Sequence, residues 1–230
     1  HIHRVEDFKK DEKVKNLLRN AETNGCFYIE SPAMRGLLRK LRCDDYKTLV
    51  AASSIIRPGV AKSGMMRQYI QRFHDPQRID YLHPVLKQLL EETYGVMVYQ
   101  EDVLKVCHHF AGLDLSDADV LRRMMNHKSR RKGEMAELTH KFFDNCKSRG
   151  YSDAVTREVW RQIESFAGYS FSKAHSASYA VESFQSLYLK AYFPLEFQVA
   201  VINNFGGFYP TWVYFNEFHR QGGLIHLPCV

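Results

Sequence analysis

The chain has 230 residues, 45% hydrophobic and 25% charged, with a formal net charge of +6 from 32 Lys and Arg against 26 Asp and Glu. With a mean hydropathy of -0.39, this is a soluble globular composition that can bury one large core or two modest ones. No apolar run approaches the ~20 residues of a membrane span and no signal-peptide pattern opens the chain, while a pI near 9.0 leans toward an anionic partner.

In chain order the pattern is mostly helical. Residues 5 to 23 read as one charged helix stopped by Asn24-Gly25, and Cys26-Phe27-Tyr28-Ile29 as a short extended piece. Ser31-Pro32 starts a helix whose buried stripe is Met34, Leu37, Leu38 and Leu41, with Arg35, Arg39, Lys40 and Arg42 elsewhere on its surface. Asp44 is placed to cap the next helix, through Leu49, Val50, Ser53 and Ile56 to the breaker Arg57-Pro58-Gly59. Ser63 starts a helix bearing Met66, Tyr69, Ile70 and Phe73, ended by Asp75-Pro76, and Pro84 to Glu92 is another. Tyr94 to Tyr99 reads as extended. Gln100 to Ala111 returns to helix, with Val103, Val106, Cys107 and Phe110 inward and Gly112 as the stop. Asn203-Asn204-Phe205-Gly206-Gly207 is a loop or domain edge, followed by a helix over Thr211 to Arg220 and an extended Leu224 to Leu227.

The densest chemistry lies between these elements. Six of the eleven residues from Arg122 to Lys132 are Lys or Arg, with no carboxylate between Asp119 and Glu134. Such a run repels itself and is most easily tolerated against a polyanion. Ser116 and Asp119 have capping-box spacing, and Ala118, Leu121, Met124 and Met125 recur at helical spacing, which leaves Arg122, Arg123 and Asn126 on other faces. The plainer reading is a solvated helix end whose cations complement the macrodipole.

A second constellation, Gly168 to Tyr179, joins two helices: one capped by Ser152 and carrying Val155, Val159, Ile163 and Phe166, the other striped by Ala177, Ala180, Val181, Phe184, Leu187, Tyr188 and Ala191. Its loop sets Lys173, His175 and three serines at a helix start, where backbone N–H groups favour phosphate and Lys and His add charge and donors. Alternatively, His175 caps its helix and Lys173 is solvated. Tyr169, Phe171 and Tyr179 read as core. The five cysteines (Cys26, Cys43, Cys107, Cys146, Cys229) are scattered with no Cys-x-x-Cys pair, which argues against zinc or a disulfide framework and fits a reducing cytoplasm. The start at His1-Ile2-His3, without an initiator Met, and the end at Pro228-Cys229-Val230 read as a piece of something longer.

Five blocks then occur in order: Cys26 to Ser31, Arg57-Pro58-Gly59, Tyr94 to Glu101, Ala118 to Arg123 and Phe166 to Tyr179. Together they resemble the alpha subunits of bacterial DNA polymerase III, the C-family replicative polymerases, from about Thr23 to Phe197. The resemblance implies a mainly α, multi-helical fingers domain with a few short extended segments. It implies a fingers region over 1–203, with 1–24 connecting from the palm and 204–230 starting the following segment. The implied activity is DNA-directed DNA synthesis in a bacterial cytoplasm, with primer-template DNA, dNTP, a sliding clamp and other replisome subunits as partners and no membrane. By the same resemblance Arg122, Arg123, Lys173, His175 and Arg57 contact the dNTP triphosphate, and Mg2+ is held by palm carboxylates outside this chain. No catalytic or metal residue is then expected here, and the piece alone is expected to be inactive. Lys128, Arg130, Arg131 and Lys132 are candidates for DNA backbone.

The chain departs from the family pattern at Met124 to Lys128, where the usual glycine is missing, at Val60 and at Ala174. The first puts the path of the loop after Arg123 in question. Two other classes stay open: a helical nucleic-acid-binding module without a nucleotide pocket, and a scaffold for replisome proteins.

Overall fold

The computed structural model describes residues 3–56, 63–126, 132–165 and 172–226, with the backbone alone described at Arg78, at 124–126 and at Lys132. In chain order the helices are α1 (Val5–Phe8), α2 (Glu12–Arg19), α3 (Pro32–Leu41), α4 (Tyr46–Ile55), α5 (Met65–His74), α6 (Pro84–Leu90), α7 (Gln100–Lys105), α8 (Leu115–Asn126), α9 (Lys132–Ser148), α10 (Asp153–Ser165), α11 (Lys173–Tyr192), α12 (Pro194–Asn203) and α13 (Thr211–Arg220). No strand occurs among the described residues, so the fold is mainly α as expected. The chain divides into two compact units: unit 1 is His1–Ser53 with Ser176–Val230, and unit 2 is Ser54–His175.

Unit 1 takes its core from both ends of the chain. The α3 stripe of Met34, Leu37, Leu38 and Leu41 is buried as its spacing predicts, and Ser31 Oγ accepts from Met34 N (3.3 Å) at the cap. Ala180, Phe184 and Leu187 of α11 are buried, and the Phe8 ring stacks on Tyr188 at 4.1 Å. The single helix expected over 5 to 23 is instead two, because Asp11 turns the chain and accepts from Val14 N (3.0 Å) as the cap of α2. Likewise Asp45, not Asp44, caps α4 through Thr48 N (3.0 Å), since Asp44 is engaged by Arg19 Nη2 (2.7 Å).

Cys26 to Ile29 is a run of turns rather than extended, with Tyr28 at φ 64. Side chains take over the backbone pairing that a sheet would supply. Ser183 Oγ of α11 donates to Phe27 O (3.0 Å) and Thr23 Oγ1 donates to Ile29 O (2.6 Å). Asn203 to Gly207 is the turn between α12 and α13, which pack together in unit 1.

Unit 2 has Met65, Tyr69, Val96, Met97, Val98, Phe110, Phe142 and Ile163 buried, with the Phe142 and Trp160 rings 5.0 Å apart. Tyr94 to Tyr99 is not one extended segment. Tyr94 (φ 56) and Gly95 (φ 75) make a left-handed turn before three irregular buried residues. Those residues lead into α7, where the buried Asp102 carboxylate accepts from Val98 N and Tyr99 N, both at 2.9 Å. The helix expected to Ala111 widens to a π turn over Val106–Phe110, yet Val103, Val106, Cys107 and Phe110 are buried as predicted. Gly112 (φ 67) then stops it; a Cβ there would strike the Arg149 guanidinium, which donates to His109 O (2.7 Å) and Phe110 O (3.0 Å). The stretch from Pro84 ends as α6 and a 3-10 turn, Glu91–Thr93.

Candidate functional site

The candidate cations of unit 2 are set by α8 and by the start of α11. α8 begins at Leu115 because Asp114 Oδ1 accepts from Asp117 N (2.8 Å) and from Ser116 Oγ (2.9 Å). Lys141 of α9 pairs with Asp117 and lies 3.8 Å from Asp114, which ties that first turn to its neighbour. The capping box read from Ser116 and Asp119 is therefore displaced: Asp114 supplies the cap and Asp119 is committed elsewhere. Ala118 and Leu121 are fully buried, so Arg122 and Arg123 leave the helix away from the core.

Both arginines meet Asp119. Arg122 donates to its Oδ1 from Nε (3.0 Å) and Nη2 (2.7 Å), and Arg123 Nη2 pairs with its Oδ2. The spacings are i,i+3 and i,i+4, at which side chains on one helix face meet. Arg122 is half-buried, at 23% side-chain exposure against 64% for Arg123, and its Nη1 also donates to Gln100 Oε1 (2.8 Å) in the first turn of α7. The hydrogen bond from Arg122 is the largest influence on Asp119; with the charges of both arginines it outweighs burial and holds the carboxyl below its usual range.

The next residue of α7, Glu101, takes the other half of the site. Its Oε2 and Oε1 accept from Lys173 N (2.9 and 3.1 Å), so a carboxylate sits at the N-terminus of α11, where the macrodipole favours negative charge. Lys173 Nζ reaches both oxygens of Glu92 (2.7 Å each) and lies 5.4 Å from the centre of the Tyr99 ring. Ser172 Oγ accepts from His175 N (3.2 Å), so Ser172 is the capping residue, and His175 is half-buried.

Consecutive residues of one turn thus hold Arg122 (through Gln100) and Lys173 (through Glu101), and consecutive Cα atoms lie about 3.8 Å apart. Three cations, Arg122, Arg123 and Lys173, are matched by the carboxylates Asp119, Glu92 and Glu101. These anionic partners escaped the sequence reading. Asp119 was readable from its i,i+3 and i,i+4 spacing to the arginines, but Glu92 and Glu101 lie 81 and 72 residues from Lys173 and carry no local signal.

Arg57, Lys128, Arg130 and Arg131 lie outside the described residues, as do Val60, Phe166, Tyr169 and Phe171, and the Lys132 side chain is outside them too. Tyr179, in unit 1, is half-buried rather than part of the core, and packs edge-on against the exposed Phe27 (5.1 Å) and against Tyr28 (4.8 Å). Among the described residues no group of three or more His, Cys, Asp or Glu side chains is placed to hold a metal ion. Nor is any described helix long and apolar enough to cross a membrane. Cys26, Cys43, Cys107 and Cys146 are free and buried, and burial pushes the Cys26 and Cys107 thiols up to about 12.

The family model of the bacterial DNA polymerase III alpha subunit finger domain matches residues 3–150. DNA polymerase III subunit alpha of Aquifex aeolicus is 41% identical over 187 residues, which is 81% of this chain and 16% of that protein. The Campylobacter jejuni subunit is 39% identical over 84% of this chain and 16% of its own length. That of Staphylococcus aureus is 34% identical over 95% of this chain and 20% of its own. The chain therefore spans only 16–20% of the length of these relatives.

Proposed function

The chain belongs to the bacterial DNA polymerase III alpha subunit finger-domain family, and on that premise we propose that it holds the triphosphate of an incoming deoxynucleotide. Arg122, Arg123 and Lys173 are the contacts, with His175 at the same helix start and Arg57 as a further contact. The whole polymerase is a nucleotidyltransferase that extends a primer in the bacterial cytoplasm. In this reading residues 1–203 are the fingers region and 1–24 the connection from the palm. Residues 204–230 begin the following segment, although Phe208 N and Tyr214 Oη both donate to the Glu30 carboxylate (2.5 and 2.9 Å) within unit 1.

The observation that carries the reading is the joint anchoring of Arg122 and Lys173 on Gln100 and Glu101. Phosphoryl transfer asks a protein mainly to hold the phosphates in line and to neutralise developing charge. Guanidiniums do so through bidentate bonds, an ammonium as a point charge. A triphosphate would take over the places of Asp119 and Glu92. The exchange costs little, because partly exposed ion pairs are worth only about 0–1 kcal/mol. The metal-binding carboxylates belong to the palm, outside this chain, and no step is assigned to metal here. Primer-template DNA meets Lys128, Arg130, Arg131 and Lys132, while the sliding clamp and other replisome subunits engage regions mostly outside the chain.

The test is calorimetric titration of the 230-residue chain with dATP. Binding that weakens roughly tenfold or more in Arg122→Gln and in Lys173→Gln supports the reading, since hydrogen bonds to charged groups are worth about 1.5–3 kcal/mol. Unchanged affinity in both variants contradicts it. Oligonucleotide binding indifferent to both substitutions, with no dATP binding, would favour a nucleic-acid-binding module instead.

A further inference from the structure

Among the described residues of unit 2, the only buried acid is Asp102, at 4% exposure, and none of the contacts invoked above for the triphosphate uses it. Burying a carboxylate is costly unless its oxygens are bonded. Here one oxygen, Oδ2, accepts from both Val98 N and Tyr99 N at 2.9 Å, and Tyr99 O accepts in return from Asp102 N (3.1 Å). The other oxygen lies 4.0 Å from Nζ of the half-exposed Lys105. Asp102 is the third residue of α7 and reaches back to the residue before the helix, as the acid of a capping box does. With six residues α7 is too short to hold its own start, so its entry is fixed from outside. Val96, Met97 and Val98 are each 1% exposed and Tyr99 4%, which seats the clasped backbone in the core.

The residues enclosed between Val98 and Asp102 are the ones that meet the candidate cations. Tyr99 presents its ring 5.4 Å from Lys173 Nζ, Gln100 Oε1 accepts from Arg122 Nη1 (2.8 Å), and Glu101 Oε2 accepts from Lys173 N (2.9 Å). Arg122 and Lys173 come to this turn from 22 and 72 residues away along the chain. Their spacing in the site is therefore set by the turn, and the turn is closed by one buried oxygen.

Resting on the triphosphate reading of this same site, we propose that Asp102 is its positioning residue. Through Val98 N and Tyr99 N it fixes where Gln100 and Glu101 hold Arg122 and Lys173 for the phosphates, and it touches no ligand itself. Both bonds fall on a single oxygen, so the role belongs to an acceptor at that reach rather than to the negative charge. An amide oxygen in the same place serves as well. A side chain without that oxygen releases the two N–H groups, and a shift of about 1 Å in groups that orient a substrate costs up to about 100-fold.

The test is primer extension by the full-length polymerase carrying Asp102→Ala, Asp102→Ser or Asp102→Asn, with rates divided by the active-site concentration. Asp102→Ala removes the acceptor and Asp102→Asn keeps it. Asp102→Ser places its oxygen one bond short of both N–H groups but leaves room for water, and it decides the matter if Asp102→Ala fails to fold. The KM for dNTP should rise about fivefold or more in Asp102→Ala and Asp102→Ser and stay within about twofold in Asp102→Asn, with kcat within about threefold throughout. A merely structural loss would lower the active fraction and leave KM unchanged. In the 230-residue chain, hydrogen exchange at the Lys173 amide, which donates to Glu101, should quicken about tenfold in Asp102→Ala and Asp102→Ser but not in Asp102→Asn. Unchanged KM or unchanged Lys173 exchange in the first two, or Asp102→Asn as defective as Asp102→Ala, would overturn the inference alone where Arg122→Gln still raises KM. Arg122→Gln with an unaltered KM would remove the triphosphate reading and this inference together.

Discussion

Asp119 grips Arg122 through Nε and Nη2 and Arg123 through Nη2, so both guanidiniums reach a carboxylate before they reach a ligand. Asp119→Asn removes that competitor, and dATP should bind about two- to fivefold more tightly, in keeping with ~0.5–1 kcal/mol for a partly exposed pair. The same residue sets a pH signature. Its carboxyl is held low, above all by the Arg122 bond, so its stabilisation is complete above the ordinary carboxylate pKa and is lost as pH falls through its lowered value. Urea midpoints of Asp119→Asn should fall less than wild type between about pH 5 and pH 2; parallel curves would contradict the bond. Asp102, 17 residues earlier, has the opposite sign. Desolvation raises it over the opposing bonds from Tyr99 N and Val98 N, so its charged form is penalised and its contribution declines as pH rises through the raised value.

At the scale of elements, caps decide where helices begin, and caps were the least legible feature. The α3 stripe and its Ser31-Pro32 start, the bounds Thr211–Arg220 of α13 and the Gly112 stop could all be read locally, because apolar period, Pro and Gly act within a few residues. The caps of α4 and α8 went to neighbouring acids. Asp44 is drawn off by Arg19, 25 residues away, so Asp45 caps α4. Ser116, read as the cap of α8, instead donates to Asp114, which supplies the cap, and its expected partner Asp119 is held by Arg122 and Arg123. A carboxylate in an ion pair is lost to the helix start, and which of two adjacent acids pairs depends on tertiary structure. Ser31→Ala should cost about 1 kcal/mol of stability by urea titration, and Asp102→Ala about 1–3, since it leaves two buried N–H groups without their acceptor. An Asp102→Ala variant as stable as wild type would show that the turn into α7 holds without it.

For the whole chain, the two units differ in how they are strung. Unit 2 is continuous, whereas unit 1 joins residues 1–53 to 176–230 through bonds such as Ser183 Oγ to Phe27 O and Lys190 Nζ to Asn24 O. Residues 1–53 alone should therefore lack stable helix by circular dichroism, while 54–175 alone should retain it; a folded 1–53 peptide would contradict that. The cations of the candidate site were legible as residue types and spacing, but their partners were not, because Gln100, Glu101 and Glu92 reach them across 22 to 81 residues. The central claim, that Arg122 meets the triphosphate, is tested most directly by Arg122→Ala in the full-length polymerase. The KM for dNTP should rise roughly 10- to 100-fold, as losing a charged hydrogen bond implies, while the Kd for primer-template stays within about twofold. Equal losses in both, or an unchanged KM, would contradict it.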